Sequence, residues 1–526
     1  DVLIAQRRGE IYLYNSETKK VKQAGFLNVY WKTDAPGVNA EEGLLGIKAD
    51  PDFEKNHFVY MFYSAPDSPV NRLSRFTLEN DTILNSSEKV ILEFYEQRDI
   101  CCHTGGSIAF GPNKTLFVST GDNTTPFDEP NQKYASHGYA PLDDRPGHFQ
   151  YDERRGAGNT NDLRGKILRI KVKDDGTYEI PEGNLFPKGT AKTRPEIYVM
   201  GDRNPYRISV DPKNGYLYWG EVGPDANIDS LETRGPQGYD EVNQAREAGY
   251  FGWPLFVADN RPYNQRDFAK DSTWAKFNPK APVNDSPHNT GLAHLPNAQK
   301  AFIYYPYGES PEFPVMGKGS RNAMAGGVYY SADYPKDSKV KLPSYYDGKL
   351  FAYDWARDMI YTVSMKANGD YLGMERFLPN MTFSHPMDFA FSKDGAIYGL
   401  EYGPNWFAQN EEAVLFKLEY NAGNRTPKVV ASASKKEGAA PLQVKFSSEG
   451  TLDYDKDPIT YSWNFGNGQT SSAANPSYTF SKAGVYNVVL KVKDNKGNAS
   501  TSTIRLKVGN DVPKVDVQIE GNKTFY

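Results

Sequence analysis

Cys101-Cys102-His103-Thr104-Gly105-Gly106 is the densest polar cluster in the chain. An imidazole titrates near neutrality, so His103 is a natural base for taking a proton from a sugar hydroxyl. The two glycines that follow allow a ligand to approach the backbone closely. A histidine bonded to backbone would be structural, and this segment alone leaves both readings open. The only two cysteines of the chain are adjacent, which excludes a disulfide framework. A bridge between Cys101 and Cys102 would hold Cα atoms at the ~3.8 Å peptide spacing, below the usual disulfide range. Two buried thiols are the plainer expectation.

Three further segments carry side chains suited to a ligand. Gly158–Lys166 sets Asn161 and Asp162 ahead of an apolar strand, where they suit sugar hydroxyls, a Ca²⁺ ion or a turn equally well. Gly201–Tyr206 places Arg203 and Asn204 before another strand, and a guanidinium there can pair bidentately with a carboxylate. Gly238–Pro254 brings Asp240 and Glu241, as ion ligands or braces of a sheet, and Trp253, as a stacking surface or a core residue.

The elements that must position these groups are short strands. One phrase recurs at Gly46–Ser64, Ser107–Asp122, Arg207–Pro224 and Asp388–Pro404: an apolar strand, a turn with Asp, Pro, Asn or Gly, then an aromatic strand. Helical periodicity is almost absent. Repeated hairpins over most of the chain predict small sheets stacked radially, which leaves few edges exposed. Three of the second strands end in polar turns, Gly121-Asp122-Asn123, Gly223-Pro224-Asp225 and Gly403-Pro404-Asn405. Equivalent strand ends open on one face of a propeller, so these turns are expected to converge near its axis.

The fold class expected is therefore all-β, a β-propeller followed by an immunoglobulin-like sandwich. Residues 1–420 read as the propeller, 421–427 as a linker, 428–509 as the sandwich, and 510–526 as the incomplete start of a further β domain. Strands are expected near Leu442–Ser447, Ile459–Phe465, Ser477–Phe480 and Gly484–Asp494. The chain's 36 Tyr and 28 Phe suit pleated, half-buried surfaces. The formal charge of −5 shows no basic stripe, which argues against a nucleic-acid partner. No apolar run approaches the roughly 18 residues of a membrane helix.

An ordered series of motifs adds a resemblance. Glu42–Ile47, His103–Gly106, Gly165–Ile170, Arg203-Asn204-Pro205, Gly223-Pro224, Asp240–Asn243 and Gly252-Trp253-Pro254 together resemble the glucose/sorbosone dehydrogenase family. These are soluble PQQ-dependent sugar dehydrogenases with a six-bladed β-propeller. Tyr461–Gly468, Gly484-Val485-Tyr486 and Val492-Lys493-Asp494 resemble a PKD domain. The resemblance implies that His103 takes the anomeric hydroxyl proton while hydride passes to PQQ. It implies that Arg203 and Asn204 contact PQQ or substrate, and that the carbonyls of Gly223 and Pro224 hold Ca²⁺. The chain departs from the family pattern at four places. Glu41 and Val222 stand where glutamines are expected, Cys102 where an acid is expected, and His385 and Met387 where two arginines are expected. Glu41 is thereby a candidate cofactor contact, and Arg321, Lys318 and Arg357 are the cations left to compensate.

The function these readings favour is oxidation of an aldose or oligosaccharide with PQQ and Ca²⁺. The sequence holds no Cys-x-x-Cys-His haem motif, so electrons would pass to an external acceptor such as a cytochrome. A propeller that binds carbohydrate without oxidising it, and a metal-dependent carbohydrate-active enzyme on the same scaffold, are the alternatives. Both resemblances imply an extracytoplasmic location in a bacterium, periplasmic, secreted or within an outer-membrane or cell-surface complex.

Overall fold

Aromatic and β-branched residues alternate with polar ones along six short antiparallel sheets, and each sheet starts from the hairpin phrase or a variant of it. The computed structural model describes residues 1–32, 40–128, 136–406, 408–421 and 423–509. The expected β domain at 510–526 lies outside the described residues. The chain divides into two compact units, Asp1–Leu418 and Glu419–Tyr526.

In the first unit, blade 1 is formed by Val2–Ala5, Glu10–Asn15 and Lys20–Phe26, and blade 2 by Leu44–Ala49, Phe58–Ser64, Val70–Glu79 and Thr82–Tyr95. Blade 3 holds Gly105–Phe110, Leu116–Thr120, Lys166–Val172 and Ile197–Met200, with Gly249–Tyr250 added in parallel at its edge. Blade 4 is Pro205–Val210, Leu217–Glu221, Asp240–Ala245 and Ile303–Tyr305. Blade 5 is Ala323–Val328, Leu350–Asp354, Met359–Met365 and Tyr371–Phe377, and blade 6 is Pro386–Phe391, Ile397–Glu401 and Val414–Leu418.

From blade 1 through blade 6 the first strand of each blade packs against the first strand of the next, so these strands line the axis. The ring closes where Tyr14 of blade 1 meets Tyr398 of blade 6, with ring centroids 6.1 Å apart. Neighbouring blades approach so closely that a side chain is excluded at two positions. A Cβ on Gly46 would collide with the carbonyl of Gly106, and one on Gly220 with the carbonyl of Ala323. Between the blades, Trp219, Tyr218, Tyr250, Tyr305, Tyr353 and Tyr361 are fully buried, each removing on the order of 2–3 kcal/mol of apolar surface from water.

The second unit carries a sheet of Ser432–Ala433, Leu442–Ser447 and Ser477–Phe480. Facing it are Glu437–Ala439, Ala499–Gly509, Gly484–Asp494, Ile459–Asn464 and Thr470–Ser471. Trp463 is fully buried between them among Phe446, Phe465 and Phe480. The four expected strands lie where the alternation placed them. Asn424 and Arg425, read as linker, bond Asp494 and Asp455 of this unit.

The first unit buries many carboxyl groups, and they set its response to pH. Burial raises Glu96 to about 8, Glu42 to about 7, Glu241 to about 7 and Asp354 to about 6. Asp152 and Asp162 go the other way: burial opposes it, but Arg154 and Arg164 beside them hold both at about 2. Groups with raised values keep protons in the folded chain that the unfolded chain releases, so their stabilisation is full below about pH 4 and is lost as pH rises from there through about 6–8. The lowered pair stabilises above about pH 4 and loses that effect as pH falls toward 2. Thermal unfolding followed by circular dichroism should therefore show the highest Tm of the first unit at about pH 4, with a decline to both sides.

Candidate functional site

One backbone hydrogen bond recurs at the same end of five blades. The N–H groups of Ser64, Gly121, Val222, Trp355 and Tyr402 donate to the carbonyls of Gly43, Thr104, Asn204, Asn322 and His385 at 2.9–3.3 Å. The residue before each acceptor is thus structurally equivalent: Glu42, His103, Arg203, Arg321 and Ser384. Acids at the ends of second strands brace the same corner. Glu221 accepts the N–H groups of Arg203 and Asn204, Asp354 that of Asn322, and Glu401 that of Ser384.

His103 sits in the left-handed region at φ 63° and is 4% exposed. Its N–H donates to Glu41 Oε2 at 2.7 Å, and Asn123 N–H donates to its carbonyl at 3.1 Å. Nδ1 lies 2.7 Å from Asp122 Oδ1, while Asp122 Oδ2 accepts Trp253 Nε1–H at 2.9 Å. Asp122 also accepts Thr124 N–H at 2.8 Å, and its own N–H donates to the Arg203 carbonyl at 2.7 Å. A fully buried carboxylate thus fixes the tautomer of His103, with the proton on Nδ1 and Nε2 left to accept one.

His103, Arg203, Pro224 and Trp253 line one cavity. Phe127, Tyr139 and Tyr151, between the second and third strands of blade 3, also line it. A second cavity shares Arg203, Pro224 and Trp253 and is bordered by Glu221 and Glu241. Burial first, then the negative neighbours Asp202 and Glu241, push Glu221 well above the carboxylate range, and burial does the same to Asp202.

The structure gathers some expected residues and disperses others. Arg203 Nη1 donates to the Val222 carbonyl at 2.8 Å and its Nη2 lies 3.7 Å from Asp225. Asn204, expected to contact cofactor, instead accepts Gly105 N–H at 3.0 Å and ties blade 4 to blade 3. Glu41 is spent on the His103 backbone, and its carboxylate lies within 4.8 Å of the two cysteine sulfurs. Cys101 and Cys102 are buried as expected, but their sulfurs are bonded to each other and are not free thiols. Asn161 and Asp162 stand off the cavity wall: Asn161 bonds Asn159, and Asp162 pairs with Arg164 at 2.6 Å. Of the three turns expected to converge, only the second reaches this cavity, through Pro224 and Asp225; Asp122 is buried beside it, bonded to His103 and Trp253, and Gly403 N–H donates to the Ser384 carbonyl off its wall.

Arg321, expected as a cofactor contact, is buried in a pair with Asp240 and donates to the Pro224 carbonyl at 2.6 Å. Of the two carbonyls expected to hold Ca²⁺, that of Pro224 is therefore already bonded to a cation of the protein. Arg357 is consumed by carbonyls of residues 306–320. His385 stacks on Trp355, with centroids 4.0 Å apart, and bonds Asp358 at 2.7 Å. The partnership of Asp122 with His103 was missed as such. Its signal was the position of Asp122 just past the end of the second strand of the His103 hairpin.

Residues 1–140 and 146–296 match the family model for glucose / sorbosone dehydrogenase, and residues 424–508 that for the PKD domain. The chain is 27% identical over 293 residues to quinoprotein glucose dehydrogenase B of Acinetobacter calcoaceticus, covering 54% of this chain and 52% of that protein. It is 24% identical over 220 residues to aldose sugar dehydrogenase YliI of Escherichia coli K12, covering 41% and 47%. The chain spans about half the length of the curated relatives it matches. A solved glucose dehydrogenase superposes with a TM-score of 0.52 at 20% identity, over 80% of this chain and 93% of that one, a likeness of fold.

Because Asp122 satisfies three buried donors, Asp122→Ala should leave His103, Trp253 and Thr124 unpaired. Denaturant unfolding should read a loss of about 2–4 kcal/mol.

Proposed function

The chain belongs to the glucose/sorbosone dehydrogenase family, and from that premise we propose that its propeller oxidises an aldose or oligosaccharide at the anomeric carbon, with His103 as the base and PQQ as the cofactor. The observation that carries the reading is the imidazole held through Nδ1 by Asp122, on the wall of a cavity that also bears Arg203.

The residues present fit a planar, anionic quinone. Arg203 offers a guanidinium on the wall and Trp253 an indole, and burial raises Glu221 at the neighbouring cavity well above the usual carboxylate range. When bound, PQQ supplies a two-electron oxidant that the side chains cannot provide. His103 Nε2 receives the proton of the anomeric hydroxyl, and Asp122 stabilises the imidazolium and keeps the ring from turning. Arg203 would hold an anionic group of the cofactor, and its bond to the Val222 carbonyl fixes the direction of the guanidinium. Phe127, Tyr139 and Tyr151 give the wall apolar surface against which a sugar ring can pack.

The residues do not fit calcium at Gly223 and Pro224, since Arg321 holds the Pro224 carbonyl. No step is assigned to that ion. Electrons leave to an external acceptor, and the quinoprotein relative together with the PKD domain supports an extracytoplasmic setting.

Dye-linked oxidation of aldoses after reconstitution with PQQ tests the proposal. His103→Ala should lower kcat by about 10²–10⁴-fold with PQQ affinity little changed. Arg203→Ala should instead weaken PQQ binding by roughly 10-fold or more. Absence of PQQ binding at micromolar concentration would remove the reading.

A further inference from the structure

The turn Val222-Gly223-Pro224 is gripped from two sides. Arg203 Nη1 donates to the Val222 carbonyl at 2.8 Å, and Arg321 Nη2 donates to the Pro224 carbonyl at 2.6 Å. The two arginines hold equivalent places in neighbouring blades, one step before the recurrent backbone bond. Behind the turn, Asp240 pairs with Arg321 Nη1 and accepts Gly223 N–H at 3.1 Å and Ala323 N–H at 2.9 Å. The side chains of Arg321 and Asp240 are each 1% exposed, and the guanidinium lies 3.9 Å from the centroid of Tyr307.

We propose that the guanidinium of Arg321 is a built-in cation standing where the family resemblance expects calcium, so that this turn is held without a metal. The inference rests on the functional reading only for where a calcium ion was to be expected.

Three observations carry it. Calcium takes about 6–8 oxygen ligands in a flexible shell, whereas here the Pro224 carbonyl is committed to Arg321 and the Asp240 carboxylate to three donors. A divalent ion beside this turn would also sit between two guanidinium groups, Arg203 and Arg321, in a buried setting where like charges are weakly screened. Asp225, the other nearby acid, is already near Arg203 and accepts Tyr307 Oη–H at 3.3 Å. Finally, Arg321 carries a permanent positive charge between the Asp240 carboxylate and the Pro224 carbonyl, which is the electrostatic place of a bound cation.

Thermal unfolding of the full chain without PQQ, in millimolar CaCl₂ and in EGTA, tests this. Comparing the wild type with Arg321→Ala cancels any calcium response of the second unit, which both proteins share. The wild type should show no calcium-dependent shift of the first unit. Arg321→Ala frees the Pro224 carbonyl and the Asp240 carboxylate, and should lose stability in EGTA and regain at least ~3 °C in calcium. A calcium-stabilised first unit in the wild type, or a folded Arg321→Ala that gains nothing from calcium, overturns the proposal. Should Arg321→Ala not fold, Arg321→Lys keeps the charge and should stay indifferent to calcium; a calcium gain there overturns it too. PQQ titration by tryptophan fluorescence adds a second readout, with dissociation constants expected to agree within about twofold in CaCl₂ and in EGTA, against the tenfold that 1.4 kcal/mol of linkage would give. No PQQ binding in either buffer counts against the functional proposal alone, and the unfolding comparison then decides this one.

Discussion

A single backbone hydrogen bond, made at the same end of five blades, decides which side chains can meet at the axis. It fixes the start of each inner strand against the end of the second, so the residue just before it has one direction available. Glu42, His103, Arg203, Arg321 and Ser384 owe their placement to it. Acids at the strand ends reinforce the corner, and their burial would be costly without the N–H groups they accept. The chemistry of the site follows from which side chain each blade offers at this one position.

That repetition explains how much could be read from the sequence. Four hairpins are legible because a tight turn of Asp, Pro, Asn or Gly separates two apolar strands, and their boundaries fall within a few residues of the observed ones. Blade 5 escapes the pattern because its first hairpin is opened by residues 329–349, which carry the short turns Ser331–Asp333 and Ser344–Tyr346. The imidazole at 103 and the guanidinium at 203 stand out by residue type and by the glycines or amides beside them.

Partnerships were harder to see than positions. Asp122 reads locally as a turn residue, yet its carboxylate bonds an imidazole 19 residues earlier and an indole 131 residues later. Arg321 reads as a spare cation, but its partner Asp240 belongs to another blade, 81 residues away. Asn204 looks like a ligand contact and is instead a tie between blades. A local pattern reports the backbone it belongs to, whereas these bonds depend on how separate sheets are stacked, which no single segment encodes.

The connection 121–165 leaves blade 3 at one paired strand and returns at the next, so both of its ends are held by the same ladder, Leu116–Thr120 against Lys166–Val172. Its first residues carry the carboxylate that bonds the imidazole, and residues farther along give aromatic rings to the cavity wall. Ala140, Leu142, Ala157 and Leu163 of the same stretch enter the core between the blades. One connection thereby holds a ring in place, lines the space beside it and packs the interior, so a change in any of these parts is felt by the other two.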